Sequence, residues 1–220
     1  MGHIISYVCY TSIERQRRER KDTMYKELVD NLQRNPASMY TINEVEELAD
    51  QVLQLGGYDN LVGPTPIVEI AKRFGFTTFQ ENNMPEDISG NIFVGGTTRD
   101  VYNTDKAIVV GANEEYYHQR FIIAHELAHY LLDYLGSENS FNTGILFSKT
   151  YPKKNHNSPE ELRADRFAAQ LLMPAKIFCR QYVKATEASG YNKRYVMVYL
   201  SDYFETKRSC IERRIQEVIF

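Results

Sequence analysis

A long apolar run at residues 121–135 places hydrophobic side chains on most faces of a predicted helix. A helix that is apolar almost all the way round is typical of a segment buried inside a core. Gly136 follows the run and predicts its end, because glycine is a common residue just beyond a helix C-terminus. The pattern therefore indicates a central helix around which the other elements pack.

Helical patterns precede this run in three places: residues 12–34, 41–56 and 67–74. The first is highly charged, and the break around Pro36 ends it. The second is amphipathic, and Thr41 followed three residues later by Glu44 predicts a capping box at its start. Pro66 opens the third, because proline is favoured at the first position of a helix.

Short runs with strand character lie between the third helix and the central one: residues 76–79, 88–94, 101–102 and 107–110. Gly95 and Gly96 predict a hairpin turn after the second of these runs. The runs together predict a small sheet of three or four strands that lies just before the central helix. The expected fold class is therefore α+β and mainly helical.

Residues 137–157, beyond the central helix, are polar and predict a long loop. Residues 158–174 then predict a helix, with Ser158 as its N-cap and Pro174 at its end. Two shorter helical patterns, separated by a turn at residues 205–207, predict a helix-turn-helix-like pair at the C-terminus: residues 196–204 and 209–218.

These patterns divide the chain into three predicted parts: a charged helical extension at residues 1–40, a main domain at 41–175 and a helical tail at 176–220. The formal net charge of −3 argues against a whole-protein nucleic-acid binder. The tail carries nine basic and five acidic residues, a modest excess. That balance favours a role in packing and partner docking over DNA binding.

Three cysteines occur at long spacings, with no C-x-x-C pair among them: Cys9, Cys179 and Cys210. An odd number at such spacings predicts neither a disulfide framework nor a cysteine-based zinc site. No apolar run reaches the roughly 18 residues that a membrane span needs. We therefore expect a cytoplasmic protein.

The central helix carries one copy of the H-E-x-x-H motif, formed by His125, Glu126 and His129. Residues four apart lie on one face of a helix, so both imidazoles can reach one metal ion. Glu126 lies about 100° further round, where a general base for a metal-activated water belongs. The alternative is a buried helix with two hydrogen-bonded histidines, which would leave three costly polar groups to satisfy.

A catalytic zinc site of this type needs a third protein ligand. Glu161 and Asp165, one turn apart on the helix at 158–174, are the candidates. Glu161 could ligate the ion, and Asp165 could accept the remaining N–H of a ligating histidine. Spacing alone leaves two alternatives open: Glu161 could instead close a capping box with Ser158, and the neighbouring Glu160 could be the ligand.

Two other histidines, His118 and His156, lie near these helices in the sequence. His118 precedes the central helix and is expected at the surface. His156 lies in the polar loop just before Glu161, where it could steady an oxyanion or a leaving group, although a solvent-exposed loop histidine is the favoured interpretation.

At these two helices the sequence resembles the ImmA/IrrE family of bacterial and phage metallopeptidases. The resemblance covers about residues 44–180, and it is carried by two motifs in the right order: Arg120-Phe121-x-x-Ala124-His125-Glu126-Leu127-Ala128-His129 and Glu161-x-x-Ala164-Asp165-x-Phe167-Ala168-Ala169-x-Leu171-Leu172-Met173-Pro174. It implies a minimal gluzincin with Zn²⁺ held by His125, His129 and Glu161. Glu126 would be the general base, and Asp165 would support a ligand.

Members of that family commonly cleave helix-turn-helix repressors of mobile elements or stress responses, which relieves repression. Many carry a repressor-like domain at the N-terminus, whereas residues 1–40 here are too short and too charged for one. The resemblance therefore implies an endopeptidase whose DNA-binding partner is a separate chain. The alternative is a regulatory module that binds a repressor or DNA without hydrolysis.

Overall fold

The computed structural model describes residues 2–137, 140, 146–152 and 158–220, and it describes only the backbone of residues 2–14 and 152. The helices of this part of the chain are α1 (Gly2–Arg34), α2 (Ile42–Gly56), α3 (Ile67–Arg73), α4 (Thr98–Tyr102), α5 (Tyr116–His129), α6 (Pro159–Leu172), α7 (Ala175–Ala188), α8 (Lys193–Phe204) and α9 (Arg208–Val218). The strands are β1 (Thr77–Glu81), β2 (Ile88–Val94), β3 (Lys106–Gly111) and β4 (Phe147–Pro152). The fold is α+β and mainly helical, as the sequence predicts.

One four-stranded sheet has the order β1-β3-β2-β4. β1 and β3 are parallel, with Phe79 opposite Val109. β2 is antiparallel to both of its neighbours, so that Ile92 lies opposite Ile108 of β3 and Asn91 opposite Thr150 of β4. β3 is central and almost wholly buried, because it is an unbroken apolar run.

The sheet approaches α5 most closely at Gly90 of β2. A Cβ atom at this glycine would lie 2.2 Å from Ile122 Cγ2 of α5 and 3.7 Å from Glu126 Oε1. No side chain fits in that space, so glycine is required for the strand to pack against the helix. This contact sets the distance between the sheet and the face of α5 that carries Glu126.

Helices cover the other faces of α5. α6 packs between α5 and α2, and it buries five apolar residues there: Ala164, Phe167, Ala168, Leu171 and Leu172. The second half of α1 adds Tyr25, Leu28 and Leu32 to the same core, and the Tyr25 hydroxyl donates to the Val52 carbonyl oxygen at 2.9 Å. The three-part division of the chain at residues 40 and 175 stays a prediction.

Most helices predicted from the sequence form at the expected places. α2 begins with the predicted capping box, in which Glu44 N–H donates to the Thr41 hydroxyl and the Glu44 carboxylate accepts from Thr41 N–H. α8 and α9 correspond to the predicted C-terminal pair, joined by a turn in which Glu205 has φ of 50°. None of the helices in the described ranges combines the length and the hydrophobicity of a membrane-spanning segment.

The predicted hairpin at Gly95 and Gly96 is wrong, and so is the strand predicted at residues 101–102. The two glycines turn the chain into the short helix α4, and only then does β3 begin. Tyr102 packs its ring 5.2 Å from Phe79 and 5.5 Å from Phe93, on the sheet face opposite Ile92. This packing outweighs the local preference of residues 101 and 102 for a strand.

The long loop predicted at residues 137–157 is also wrong in part, because its second half contains β4. Ser148 and Thr150 are exposed, whereas Phe147, Lys149 and Tyr151 point inward, which is the alternation of a half-buried strand. A lysine on the inward face concealed that alternation. The sheet therefore includes a strand that follows α5 rather than lying wholly before it.

Candidate metal centre

The H-E-x-x-H segment forms the C-terminal half of α5 and is completely enclosed. His125 and Glu126 have no exposed surface, and His129 is 1% exposed. The N-terminal half of the helix is fixed by Arg120, which is itself buried and donates from Nη2 to the Thr65 carbonyl oxygen at 2.7 Å. Burial on all sides gives the three functional side chains little freedom to move.

His125, His129 and Glu161 converge on one point. The two Nε2 atoms lie 2.9 Å apart. Glu161 places Oε2 3.1 Å from His125 Nε2 and Oε1 3.2 Å from His129 Nε2. Candidate ligand atoms of all three residues lie within 4.8 Å of one another, so they could hold a single metal ion.

The other ring nitrogen of each histidine faces a carboxylate. His125 Nδ1 donates to Asp165 Oδ1 at 3.0 Å. His129 Nδ1 donates to Asp133 Oδ2 at 2.6 Å. Such carboxylates fix the tautomer of a histidine and turn its Nε2 lone pair toward a metal.

Asp133 is a site residue that the sequence motifs did not indicate, although its spacing was informative. It follows His129 by four residues, and the π-helical turn Tyr130–Tyr134 continues α5 far enough to bring its carboxylate beside His129. β4 adds two further missed residues. Lys149 Nζ lies 3.3 Å from Asp133 Oδ2, and the Tyr151 ring stands at 89° to that of His125 with 4.7 Å between centroids.

The structure shows how Glu161 relates to the helix cap. Ser158 Oγ accepts from the backbone N–H of Glu161 at 3.3 Å, while the Glu161 carboxylate turns to the histidines. The two roles are compatible because the cap uses the backbone and the cluster uses the side chain. Glu160 is partly exposed, and hydrogen bonds with its own backbone and with Ser158 lower the pKa of its carboxyl. It lies outside the cluster.

The charges of the cluster stabilise one another. Burial alone raises the pKa of Glu161, but hydrogen bonds from His125 and His129 outweigh it and hold that pKa well below its ordinary value. Burial alone lowers the pKa of His129, yet its bonds to Asp133 and Glu161 raise it above the ordinary value. The site therefore favours ionised carboxylates, of which Glu161 could ligate a cation.

Glu126 differs from the other acidic groups here. Both of its carboxylate oxygens are buried and have no hydrogen-bond partner among the described residues. Burial raises the pKa of Glu126 to about 8, against the opposing attraction of His125. A buried carboxylate without a partner is costly, so this orphaned group together with the ligand set fits a site built for a metal ion and water.

The other two histidines have different outcomes. His118 lies inside α5 rather than before it, and its side chain is 19% exposed, so the expectation of a surface residue is wrong. Its Nδ1 lies 2.6 Å from Glu114 Oε2, and its ring meets that of Tyr151 edge-on. His156 lies outside the described residues.

A cavity of about 310 Å³ adjoins the cluster on the side of Asp165. Its walls come from α5, β4, α6 and α9, and they include His118, Phe121, Tyr151 and Arg213. The cavity combines apolar and charged walls, which is typical of a small-molecule or side-chain pocket.

About two thirds of the chain matches the model of one protein family. The family model for the IrrE N-terminal-like domain, Peptidase_M78, matches residues 71–216. No curated protein matches the chain. A solved structure of a Mycobacterium tuberculosis transcriptional regulator aligns at 16% identity with a TM-score of 0.45 over 88% of this chain and 51% of that one, so this chain spans about half its length. On the family match, the chain belongs to the IrrE N-terminal-like domain family of peptidases.

Proposed function

We propose that this protein is a zinc-dependent endopeptidase. The observation that carries the proposal is the convergence of His125, His129 and Glu161 on one point, with the buried carboxylate of Glu126 beside them. Membership of a peptidase family supports the same conclusion independently. The gluzincin-like arrangement of the site is part of this proposal.

The donor set favours zinc among the biological metals. Two imidazole nitrogens and one carboxylate are the protein ligands of thermolysin-type catalytic zinc, which leaves one position for water. When bound, zinc supplies Lewis acidity that activates water and polarises a carbonyl group. Asp165 and Asp133 would keep His125 and His129 oriented for that ion.

Glu126 is the proposed general base. Its carboxylate is held without a hydrogen-bond partner among the described residues, which leaves it available to accept a proton from the attacking water. It then delivers that proton to the leaving amine. A pKa that burial raises toward neutrality suits both steps, because the group must gain and lose the proton in one cycle.

The proposed substrate is a separate helix-turn-helix repressor, and the proposed site of action is the cytoplasm. The resemblance to repressor-cleaving peptidases supports the proposed substrate. The proposed cytoplasmic site of action is supported by the odd number of cysteines in the chain and by Cys179 and Cys210, which are not disulfide-bonded. DNA binding by the C-terminal tail is not part of the proposal.

The test compares zinc-loaded wild type with Glu126→Gln on helix-turn-helix repressors from the same organism, with fragments identified by mass spectrometry. We expect wild type to cleave a repressor at a defined bond. The variant should keep its zinc and its fold but lose cleavage by several orders of magnitude. Equal cleavage by both proteins would overturn the mechanism, and repressor binding without cleavage by either would favour a non-hydrolytic regulatory module.

A further inference from the structure

We infer that Arg213 of the C-terminal helix α9 is a positioning residue of the metal centre. Arg213 holds Asp165, and Asp165 holds His125. The inference rests on the proposed function, because it concerns how tightly and in what geometry the ion is bound. It assigns to the helical tail a direct part in the site.

Two consecutive contacts carry this inference. Arg213 Nη1 donates to Asp165 Oδ2 at 3.3 Å, and the other oxygen of the same carboxylate accepts from His125 Nδ1 at 3.0 Å. Each carboxylate oxygen therefore has its own partner. The Asp165 side chain is only 10% exposed, so little solvent competes for these two contacts on its side.

The second histidine has the same kind of support. Asp133, which accepts from His129, lies 3.3 Å from Lys149 Nζ and 3.7 Å from Arg163 Nη2. Both histidines thus have a carboxylate behind them, and both carboxylates have a cation behind them. The cations beside Asp133 are Lys149 of β4 and Arg163 of α6. The cation beside Asp165 is Arg213 of the tail.

The position of Arg213 is set by its neighbour in the sequence. Arg214 is fully buried, and it donates to the Met173 carbonyl oxygen at 3.1 Å and to Glu46 Oε1 at 2.9 Å. Ile211 is also fully buried. These contacts fix α9 against α6 and α2, so the fold itself brings the guanidinium of Arg213 to Asp165.

The physical effect is on orientation. A carboxylate held at one oxygen can rotate about its Cβ–Cγ bond, and holding the second oxygen removes that freedom. His125 is then kept with its Nδ1 proton on Asp165 and its Nε2 lone pair toward the ion. Because Arg213 is 57% exposed and borders the 310 Å³ cavity, solvent screens the pair, and we expect a moderate effect.

The experiment measures the affinity of the full-length protein for Zn²⁺ by competition with a chelator, and records the visible absorption of its Co²⁺ form. Arg213→Gln is compared with Arg208→Gln, which removes the same charge from an exposed position of the same helix. Losing such outer support costs metal proteins about 10- to 100-fold in affinity. Asp165→Asn should fall in that range, and Arg213→Gln, one contact further away, should lose about 3- to 10-fold.

Two further variants separate positioning from general stability. Arg213→Lys keeps a cation and should recover most of the affinity. The double variant Asp165→Asn with Arg213→Gln should bind no more weakly than Asp165→Asn alone, because Arg213 acts through Asp165. The Co²⁺ absorption bands should change in Arg213→Gln and stay as in wild type in Arg208→Gln, and urea unfolding of the metal-free proteins provides the control for stability.

Unchanged Zn²⁺ affinity in Arg213→Gln, or a loss that adds fully to that of Asp165→Asn, would overturn the inference while leaving the proposed function intact. Failure of wild type to bind either metal would overturn both. The two failures are therefore distinguishable in one set of measurements.

Discussion

The Nε2 atoms of His125 and His129 face each other at 2.9 Å, while each Nδ1 is engaged by a carboxylate. When both Nε2 atoms are deprotonated, as metal binding requires, their two lone pairs point into the same space. Such an arrangement is repulsive unless a cation, either a proton or a metal ion, lies between them. The negative charge of Glu161 at the same point makes the metal the better occupant.

Asp133→Asn should weaken zinc binding even though Asp133 is not a ligand. The amide is a weaker acceptor for His129 Nδ1–H and carries no charge, so the histidine loses both orientation and basicity. We expect a loss of about tenfold or more in zinc affinity, measured by chelator competition. Asp100→Asn, on the exposed face of α4, is the matched control, and equal affinity in the two variants would contradict the role of Asp133.

Gly90→Ala should destabilise the protein through the contact between β2 and α5. The new methyl group would meet Ile122 Cγ2 at 2.2 Å, so the strand or the helix must move. Overpacking of this kind costs about 1–3 kcal/mol in the free energy of unfolding, measured by urea denaturation. Gly111→Ala is the control, because its nearest contact would be 3.3 Å from the flexible Glu114 side chain; a cost no greater at Gly90 than at Gly111 would show that the close approach is not real.

Lys106→Met should change how stability depends on pH. Burial lowers the pKa of Lys106 from 10.5 to about 8 in the folded protein, where its ammonium group donates to the Tyr130 hydroxyl at 2.6 Å. Between these two pKa values the unfolded chain binds more protons, so the contribution of Lys106 to stability rises with pH.

The difference in unfolding free energy between wild type and Lys106→Met should therefore stay constant below pH 8. It should then move in favour of wild type by about 1–2 kcal/mol on going to pH 9.5. Urea denaturation at several pH values measures this difference in unfolding free energy. The series ends at pH 9.5 because tyrosine side chains of the unfolded chain begin to ionise at higher pH. A difference that does not change between pH 7 and pH 9.5 would contradict the assigned shift.

The local part of the site could be predicted from the sequence because helix geometry determines it. The spacing of His125 and His129 requires that they share a face of the helix, and in the structure their Nε2 atoms lie 2.9 Å apart. The role of Glu161 could not be predicted from spacing in this way. Its backbone N–H bonds to the N-cap Ser158, while its side chain approaches the histidines. A pattern in the sequence cannot separate those two uses of one residue.

The missed residues depend on tertiary structure. Lys149 and Tyr151 reach the site only because β4 adds to the edge of the sheet, and an inward lysine concealed the alternation that marks that strand. Arg213 is nearly 50 positions from Asp165, and only the packing of α9 brings the two together. The failed hairpin at Gly95 has the same origin, since the packing of Tyr102 on the sheet favours a helix there.

The most direct test of the account is the zinc content of purified wild type, Glu161→Ala and Glu160→Ala, each shown to be folded by circular dichroism. The two glutamates are adjacent on α6, but only Glu161 approaches the histidines. We predict about one zinc per chain in wild type and in Glu160→Ala, and a clear loss in Glu161→Ala. Equal zinc in wild type and Glu161→Ala, or a loss confined to Glu160→Ala, would contradict the three-ligand site.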